Sequence, residues 1–279
     1  MIVWLASYPK SGNTWVRIFL STLLYSNEKP KVDINKEHLR QFPLRTHFQG
    51  LMNNFSDLDE VAKNTISAQE IINLEEGIKF YKTHSSNWKN SQKNYYFTNP
   101  MNSLGVIHIV RDPRNVITSI LDYYNKNNYE DALNFLIDRV KTIGGTDFNN
   151  GIPTLLLSWA DHYNSWKNFK KNYFLIKYEN LISNPQEEFL KFTDYLSLIG
   201  GYKFDKKEIL EIVDNCQFEK FSRQEKDKGF IDQSVDNRKL KKIFFKLGPQ
   251  NNWKKTLPQD ISSKIEEKFE KEMKEIGYL

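Results

Sequence analysis

The 279-residue sequence contains one cysteine, Cys216, so no intrachain disulfide can form and a cysteine-ligated metal cluster is excluded. A reducing, cytoplasmic setting is expected. Long apolar runs are missing too: the opening run Ile2–Ala6 gives way at once to Ser7, Tyr8 and Pro9, too short for a signal-peptide core or a membrane span. Charge of one sign is not sorted into blocks. The 40 Lys and Arg are interspersed with 35 Asp and Glu, for a net charge of +5. With neither a zinc finger nor an RNP-type stretch, no nucleic-acid partner is expected. Internal repeats and linkers are absent. What is present is a hydrophobic fraction of 39% and an aromatic fraction of 14%, the composition of a folded chain able to bury a sizeable core. It reads as one domain over residues 1–279.

Ile2–Ala6, β-branched and aromatic, reads as a buried parallel strand. The turn-forming Ser7-Tyr8-Pro9-Lys10-Ser11-Gly12 follows it, and Trp15, Ile18, Phe19, Thr22 and Leu23 then recur at helical spacing, predicting a helix from near Asn13 to about Tyr25. Ile78–Lys82, Gly105–Val110 and Tyr173–Tyr178 read as further strands. Helices are predicted over about Asn115–Tyr124, Leu155–Phe169 and Pro185–Leu198, and an amphipathic one over Pro258–Ile276. This alternation implies an α/β fold with a parallel sheet. Residues 27–76 lack sustained periodicity and read as a long excursion from the sheet edge, a candidate substrate lid. Residues 223–247 read as a mobile charged loop or helix.

Two segments carry chemistry. In Tyr8-Pro9-Lys10-Ser11-Gly12-Asn13-Thr14-Trp15, Gly12 permits a tight turn, and the N–H groups after it open a helix and point at any bound anion. Lys10 adds a full charge. This is not the nucleotide-triphosphate loop Gly-x-x-x-x-Gly-Lys-Ser/Thr, because the lysine precedes the glycine by two positions. In Arg111-Asp112-Pro113-Arg114-Asn115-Val116-Ile117-Thr118-Ser119, Asp112 is a plausible N-cap and Pro113 a tolerated first-turn residue. Each segment ends a predicted strand and opens a helix.

Together these strings resemble the sulfotransferase family that uses 3′-phosphoadenosine-5′-phosphosulfate (PAPS). The resemblance implies a P-loop nucleotide-kinase-like sulfotransferase fold, a central parallel sheet flanked by helices. It implies PAPS as co-substrate and adenosine 3′,5′-bisphosphate (PAP) as product. Carried over residue by residue, Lys10, Ser11, Gly12, Asn13 and Thr14 hold the 5′-phosphosulfate and Trp15 lies against the adenine. Arg111 and Ser119 contact the 3′-phosphate. Weaker matches are Lys177-Tyr178-Glu179, Asn184-Pro185 and Phe218, the last at an adenine contact. Gly248 to Lys254 resembles the family's Gly-x-x-Gly-Asp-Trp-Lys segment with two departures. The usual Arg-Lys-Gly becomes Lys246-Leu247-Gly248, losing a cation unless Lys242 substitutes, and the later Gly-Asp becomes Asn251-Asn252.

Lys82-Thr83-His84 ends a predicted strand, at the carboxyl edge where α/β sheets bind ligands, and matches the family's general-base motif. A neutral imidazole takes the acceptor's proton at working pH, the role implied for His84. Lys10 offsets negative charge growing on the leaving oxygen. Lys82 adds charge stabilisation, and Ser119 couples the 3′-phosphate site to Lys10. Sulfuryl transfer by in-line displacement needs no bridging magnesium, so no metal is expected. Of the other histidines, His108 reads as core and His162 as a helix residue with polar neighbours, while His38 and His47 lie in the excursion.

The rival readings are a P-loop nucleotide kinase, which would need a magnesium-binding acidic strand end, and a catalytically silent nucleotide- or partner-binding protein of the same fold. The acceptor, a hydroxyl or amine on a small molecule or a glycan, is not legible, nor is the oligomeric state. Phe42, Phe48, Phe55 and Trp88 line an acceptor cleft or belong to the core.

Overall fold

In a computed structural model of the protein, residues 1–36, 39–144, 152–236 and 238–279 are described. The strands are β1 (Ile2–Ser7), β2 (Arg40–Gln41), β3 (Lys79–Thr83), β4 (Lys89–Asn90), β5 (Tyr95–Tyr96), β6 (Ser103–Val110), β7 (Thr142–Ile143), β8 (Thr154–Leu155) and β9 (Tyr173–Lys177). Five of them form a central sheet in the order β2-β3-β1-β6-β9; β4–β5 and β7–β8 are small antiparallel pairs. β1 runs parallel to both neighbours, with Trp4 opposite Tyr81 on one side and Val106 on the other. Every residue of β1 is buried, as a strand between two others and covered on both faces must be.

The helices are α1 (Asn13–Tyr25), α2 (Leu58–Leu74), α3 (Pro113–Tyr123), α4 (Tyr129–Ile137), α5 (Trp159–Lys167), α6 (Tyr178–Ser183), α7 (Pro185–Gly200), α8 (Lys206–Asn215), α9 (Phe218–Lys228), α10 (Trp253–Thr256), α11 (Gln259–Lys268) and α12 (Glu270–Ile276). The chain divides into two compact units, neither a continuous stretch. The first takes Met1–Tyr8, Leu39–Val110 and Ile137–Leu175; the second takes Pro9–His38, Arg111–Leu136 and Ile176–Leu279.

The core of the first unit is aromatic. Trp4 sits within 5.4 Å of Phe42 and 5.1 Å of Phe97, ring centre to ring centre, and its indole N–H donates to Ser103 Oγ at 2.7 Å. Phe42 and Phe48 are buried members of this core, and Phe55 and Trp88, partly buried, pack against it. The second unit has its own aromatic contact, Phe19 of α1 stacked on Phe189 of α7 at 4.1 Å.

Three expectations are corrected. The excursion over 27–76 contains α2, of 17 residues, whose N-cap Asp57 accepts hydrogen bonds from the Asp59 and Glu60 amides. Its buried positions are Val61, Thr65, Ala68 and Gln69. Two of them are polar, which hides the helical period from a hydrophobicity reading. Gln69 is accommodated because its side chain donates to Phe97 O and accepts from Thr98 Oγ1. The helix predicted from Leu155 begins only at Trp159, because Thr154–Leu155 pair as β8 and Ser158 supplies the cap. Finally, Pro258–Ile276 is two helices that meet at Phe269, a buried residue with non-helical backbone at φ −119° and ψ 20°.

Candidate functional site

Beyond β1 the chain turns through Lys10, at φ 68°, and Gly12, at φ 99°. Gly12 also has no room for a side chain: a Cβ there would meet Tyr178 Cδ2 at 2.5 Å. Its carbonyl accepts the first bonds of α1, from the Trp15 and Val16 amides. The N–H groups at this end have no carbonyl a turn earlier to bond, and the helix dipole adds positive potential. Lys10, Ser11, Gly12, Asn13 and Thr14 thus form a cationic turn running into a helix N-terminus.

Tyr178, the first residue of α6, braces this turn. Its ring lies under Gly12, meets Trp15 edge-on at 6.3 Å and carries the Arg111 guanidinium on its face at 4.2 Å. Burial pushes the Tyr178 phenol upward, while the Arg111 charge pulls the other way. Arg111 donates from Nη1 to Lys10 O at 2.9 Å, which ties the two motifs together within the second unit. Ser11 Oγ, Arg111 Nε and Trp15 Nε1 are buried and have no hydrogen-bond partner among the described residues. Such groups cost about 1–3 kcal/mol each when unsatisfied. They suit a ligand rich in acceptors, such as a nucleotide phosphate.

The Lys10 ammonium rests between two rings, 4.1 Å from the centre of Tyr123 and 4.1 Å from that of Phe244. Neither aromatic residue stands out in the sequence, because nothing in a linear string links positions 10, 123 and 244. Phe244 is itself fixed through Glu225, a buried carboxylate that accepts from the Phe244 amide at 2.6 Å and the Phe245 amide at 2.8 Å. The charged stretch 223–247 is therefore α9 followed by a hydrogen-bonded turn, in which the Lys242 amide donates to Ser234 O.

The second motif opens α3. Asp112 caps it, accepting from the Arg114 amide at 2.9 Å. Arg114 binds that carboxylate with Nε and Nη2, reaches Glu266 and Tyr278 O, and stacks on Trp253 at 4.1 Å. The second arginine of the motif is thus structural, and Arg111 is the one left facing the turn. Glu179, the last residue of the weaker Lys177-Tyr178-Glu179 match, accepts from the Asp112 amide at 3.0 Å.

Phe218 packs against Gly248, where a Cβ would lie 2.2 Å from its ring. Lys246 is exposed and pairs with Asp122 at 3.3 Å, and Leu247 is 44% exposed. Lys242, the suggested substitute for the lost cation, bonds Asp122 O and Asn125 Oδ1 at the C-terminus of α3, where a cation is favoured electrostatically. That engagement argues against its standing in for Leu247.

In the first unit, Lys82 and His84 leave β3 two residues apart, both half-buried. His84 Nδ1 lies 2.8 Å from Ser7 O and 3.3 Å from Ser7 Oγ. A carbonyl only accepts, so Nδ1 carries the proton and the lone pair resides on Nε2. That is the tautomer a general base requires. His162 lies in α5 as expected and is buried there; its ring reaches the backbone of His84 and Ser85, and burial lowers its pKa to about 3 despite those contacts. His108 is core as expected, with Nδ1 2.9 Å from the Tyr173 hydroxyl and a pKa held well down by burial and then by His162. His47 is half-buried, accepts from the Leu44 amide, and is lowered to about 4 by burial and then by Arg40. His38 lies outside the described residues.

Among the described residues no helix is long and apolar enough to cross a membrane, and no group of three or more His, Cys, Asp or Glu is placed to hold a metal ion.

Comparison with known proteins identifies the family and the fold. A family model described as a sulfotransferase domain matches residues 2–277. Cytosolic sulfotransferase 5 of Arabidopsis thaliana is 20% identical over 283 residues, covering 98% of this chain and 79% of the relative. Flavonol 3-sulfotransferase of Flaveria bidentis is 22% identical, covering 99% of this chain and 83% of the relative. A crystal structure of a mouse sulfotransferase complexed with PAP superposes with a TM-score of 0.60 at 16% identity, covering 98% of this chain and 84% of that one, a likeness of fold.

Proposed function

The chain belongs to the sulfotransferase family, and from that premise we propose that it transfers a sulfuryl group from PAPS to a hydroxyl or amine on a small-molecule or glycan acceptor, releasing PAP. The observation that carries this reading is the turn at Gly12. Tyr178 underlies it, Arg111 is tied to Lys10 O, and the buried Ser11 hydroxyl and Arg111 Nε lack acceptors among the described residues. The PAP named for the mouse structure and the flavonol named for the Flaveria relative support a nucleotide donor and a small hydroxyl acceptor.

PAPS supplies an activated sulfuryl group whose S–O bond to the 5′-phosphate breaks as the acceptor oxygen or nitrogen bonds to sulfur. The turn residues Lys10 to Thr14 hold the 5′ end by backbone N–H groups and charge, and Trp15 and Phe218 flank the base. Arg111 and Ser119 hold the 3′-phosphate. Lys10 offsets charge on the departing phosphate oxygen, with Lys82 adding positive potential. His84 takes the acceptor's proton on Nε2, and its Nδ1 bond to Ser7 O stabilises the imidazolium that results.

Calorimetric titration with PAP, and in parallel with ATP and magnesium, tests the donor without knowledge of the acceptor. Binding of PAP in preference to ATP is expected, followed by PAP release from PAPS in the presence of a panel of phenols, amines and glycans. Preference for ATP would overturn the reading in favour of a kinase. PAP binding with no turnover across the panel would favour a silent binding protein.

A further inference from the structure

Asn251 stands where the resembling family pattern has glycine, and it is 8% exposed. Its side chain is nearly saturated by one face of α3. Nδ2 donates to Asn115 O at 3.1 Å and to Ser119 Oγ at 3.3 Å, and Oδ1 accepts from Thr118 Oγ1 at 2.9 Å. Positions 115, 118 and 119 lie one turn apart on one side of the helix, which is why a single amide reaches all three. Two residues on, the Trp253 amide donates to Asn115 Oδ1 at 2.9 Å, so the segment is docked on α3 at two points.

We propose that Asn251 is a positioning residue for the 3′-phosphate, acting through Ser119. The proposal rests on the reading of Ser119 as a ligand of that phosphate. A hydroxyl has one proton and two lone pairs, and a phosphate only accepts. Ser119 helps bind it only with its proton turned outward. By donating to Ser119 Oγ, the Asn251 amide occupies one lone pair and leaves the serine proton for an accepting partner. That proton is directed at Asn115 O over a long 3.4 Å, a contact readily exchanged for a charged acceptor. Glycine at 251 leaves the serine rotor unset. An aspartate would accept the serine's proton and bring negative charge toward the phosphate.

The test is calorimetric titration of the full chain with PAP and with 5′-AMP, which differ only in the 3′-phosphate. Asn251→Gly is expected to weaken PAP by about fivefold to tenfold, the worth of one neutral hydrogen bond, with 5′-AMP unchanged. Asn251→Asp is expected to weaken PAP further. Adding Ser119→Ala to Asn251→Gly is expected to cost less than the product of the single effects. Equal weakening of PAP and 5′-AMP, or independent multiplication of the two substitutions, would overturn the proposal and leave Asn251 a packing residue. If the wild-type chain itself binds PAP no better than 5′-AMP, the 3′-phosphate reading falls first and the proposal with it. Asn251→Ser, which keeps a short donor, carries the same comparison should the glycine variant fold poorly.

Discussion

His84 Nδ1 sits 2.8 Å from the backbone oxygen of Ser7, and this contact fixes which nitrogen of the ring is basic. His84→Ala is expected to retain PAP affinity and lose sulfuryl transfer, because the residue serves proton removal and not the nucleotide. Calorimetry and PAPS turnover on one preparation check this. Retained turnover would remove His84 from the mechanism.

Two glycines are held by aromatic rings as much as by their backbone angles. A Cβ at Gly12 meets Tyr178 at 2.5 Å and one at Gly248 meets Phe218 at 2.2 Å, both at positive φ. Gly12→Ala is expected to cost about 1–3 kcal/mol of stability and to abolish PAP binding. Gly248→Ala is expected to be partly rescued by Phe218→Ala, since removing the ring relieves the overlap. Denaturant titration of the single and double variants decides whether the overlap or the backbone dominates.

Arg111 is buried, lies on the Tyr178 ring and donates to Lys10 O. Arg111→Ala is expected to weaken PAP by roughly 1.5–3 kcal/mol, the worth of a charged hydrogen bond. Arg111→Lys is expected to recover only part of this, because an ammonium does not keep the planar stack. Unchanged PAP affinity in the alanine variant would take Arg111 out of the site.

Leu247 stands where the resembling family pattern has a cation and is 44% exposed, so a lysine fits there without disturbing the core. Leu247→Lys is expected to tighten PAP by about 1 kcal/mol or less at low salt and to leave 5′-AMP unaffected. The gain should shrink as ionic strength rises. Equal gains for both nucleotides would point to a general field effect instead of a 3′-phosphate contact.

Acidification should destabilise the protein through His47, His108 and His162, all three held neutral chiefly by burial. His47 is held near 4 and His162 near 3, against an ordinary value of 6.5. Below about pH 6.5 the unfolded chain binds protons that the native chain does not, so stability present above that pH falls as pH drops toward 4 and then 3. Denaturant midpoints measured between pH 7 and pH 4 are expected to decline. His47→Gln should flatten the decline, and an unaltered slope in that variant would show that His47 is not buried uncharged.

The local order of the chain was determined by its own sequence. β1, the glycine turn and α1 are legible because an apolar run, a breaker and a 3.6-residue period follow one another within 25 residues, and α1 ends at Tyr25 as the pattern predicts. The family is legible for the same reason, since its two motifs are short contiguous strings. α2 was hidden because Thr65 and Gln69 occupy buried positions, and only hydrogen bonds to Phe97 and Thr98, distant in sequence, make burying Gln69 tolerable. Tertiary structure alone decided which residues support the motifs. Tyr178 under Gly12, Phe244 on Lys10 and Asn251 on Ser119 are separated by 100 or more positions, and no local pattern encodes a contact made by long-range packing.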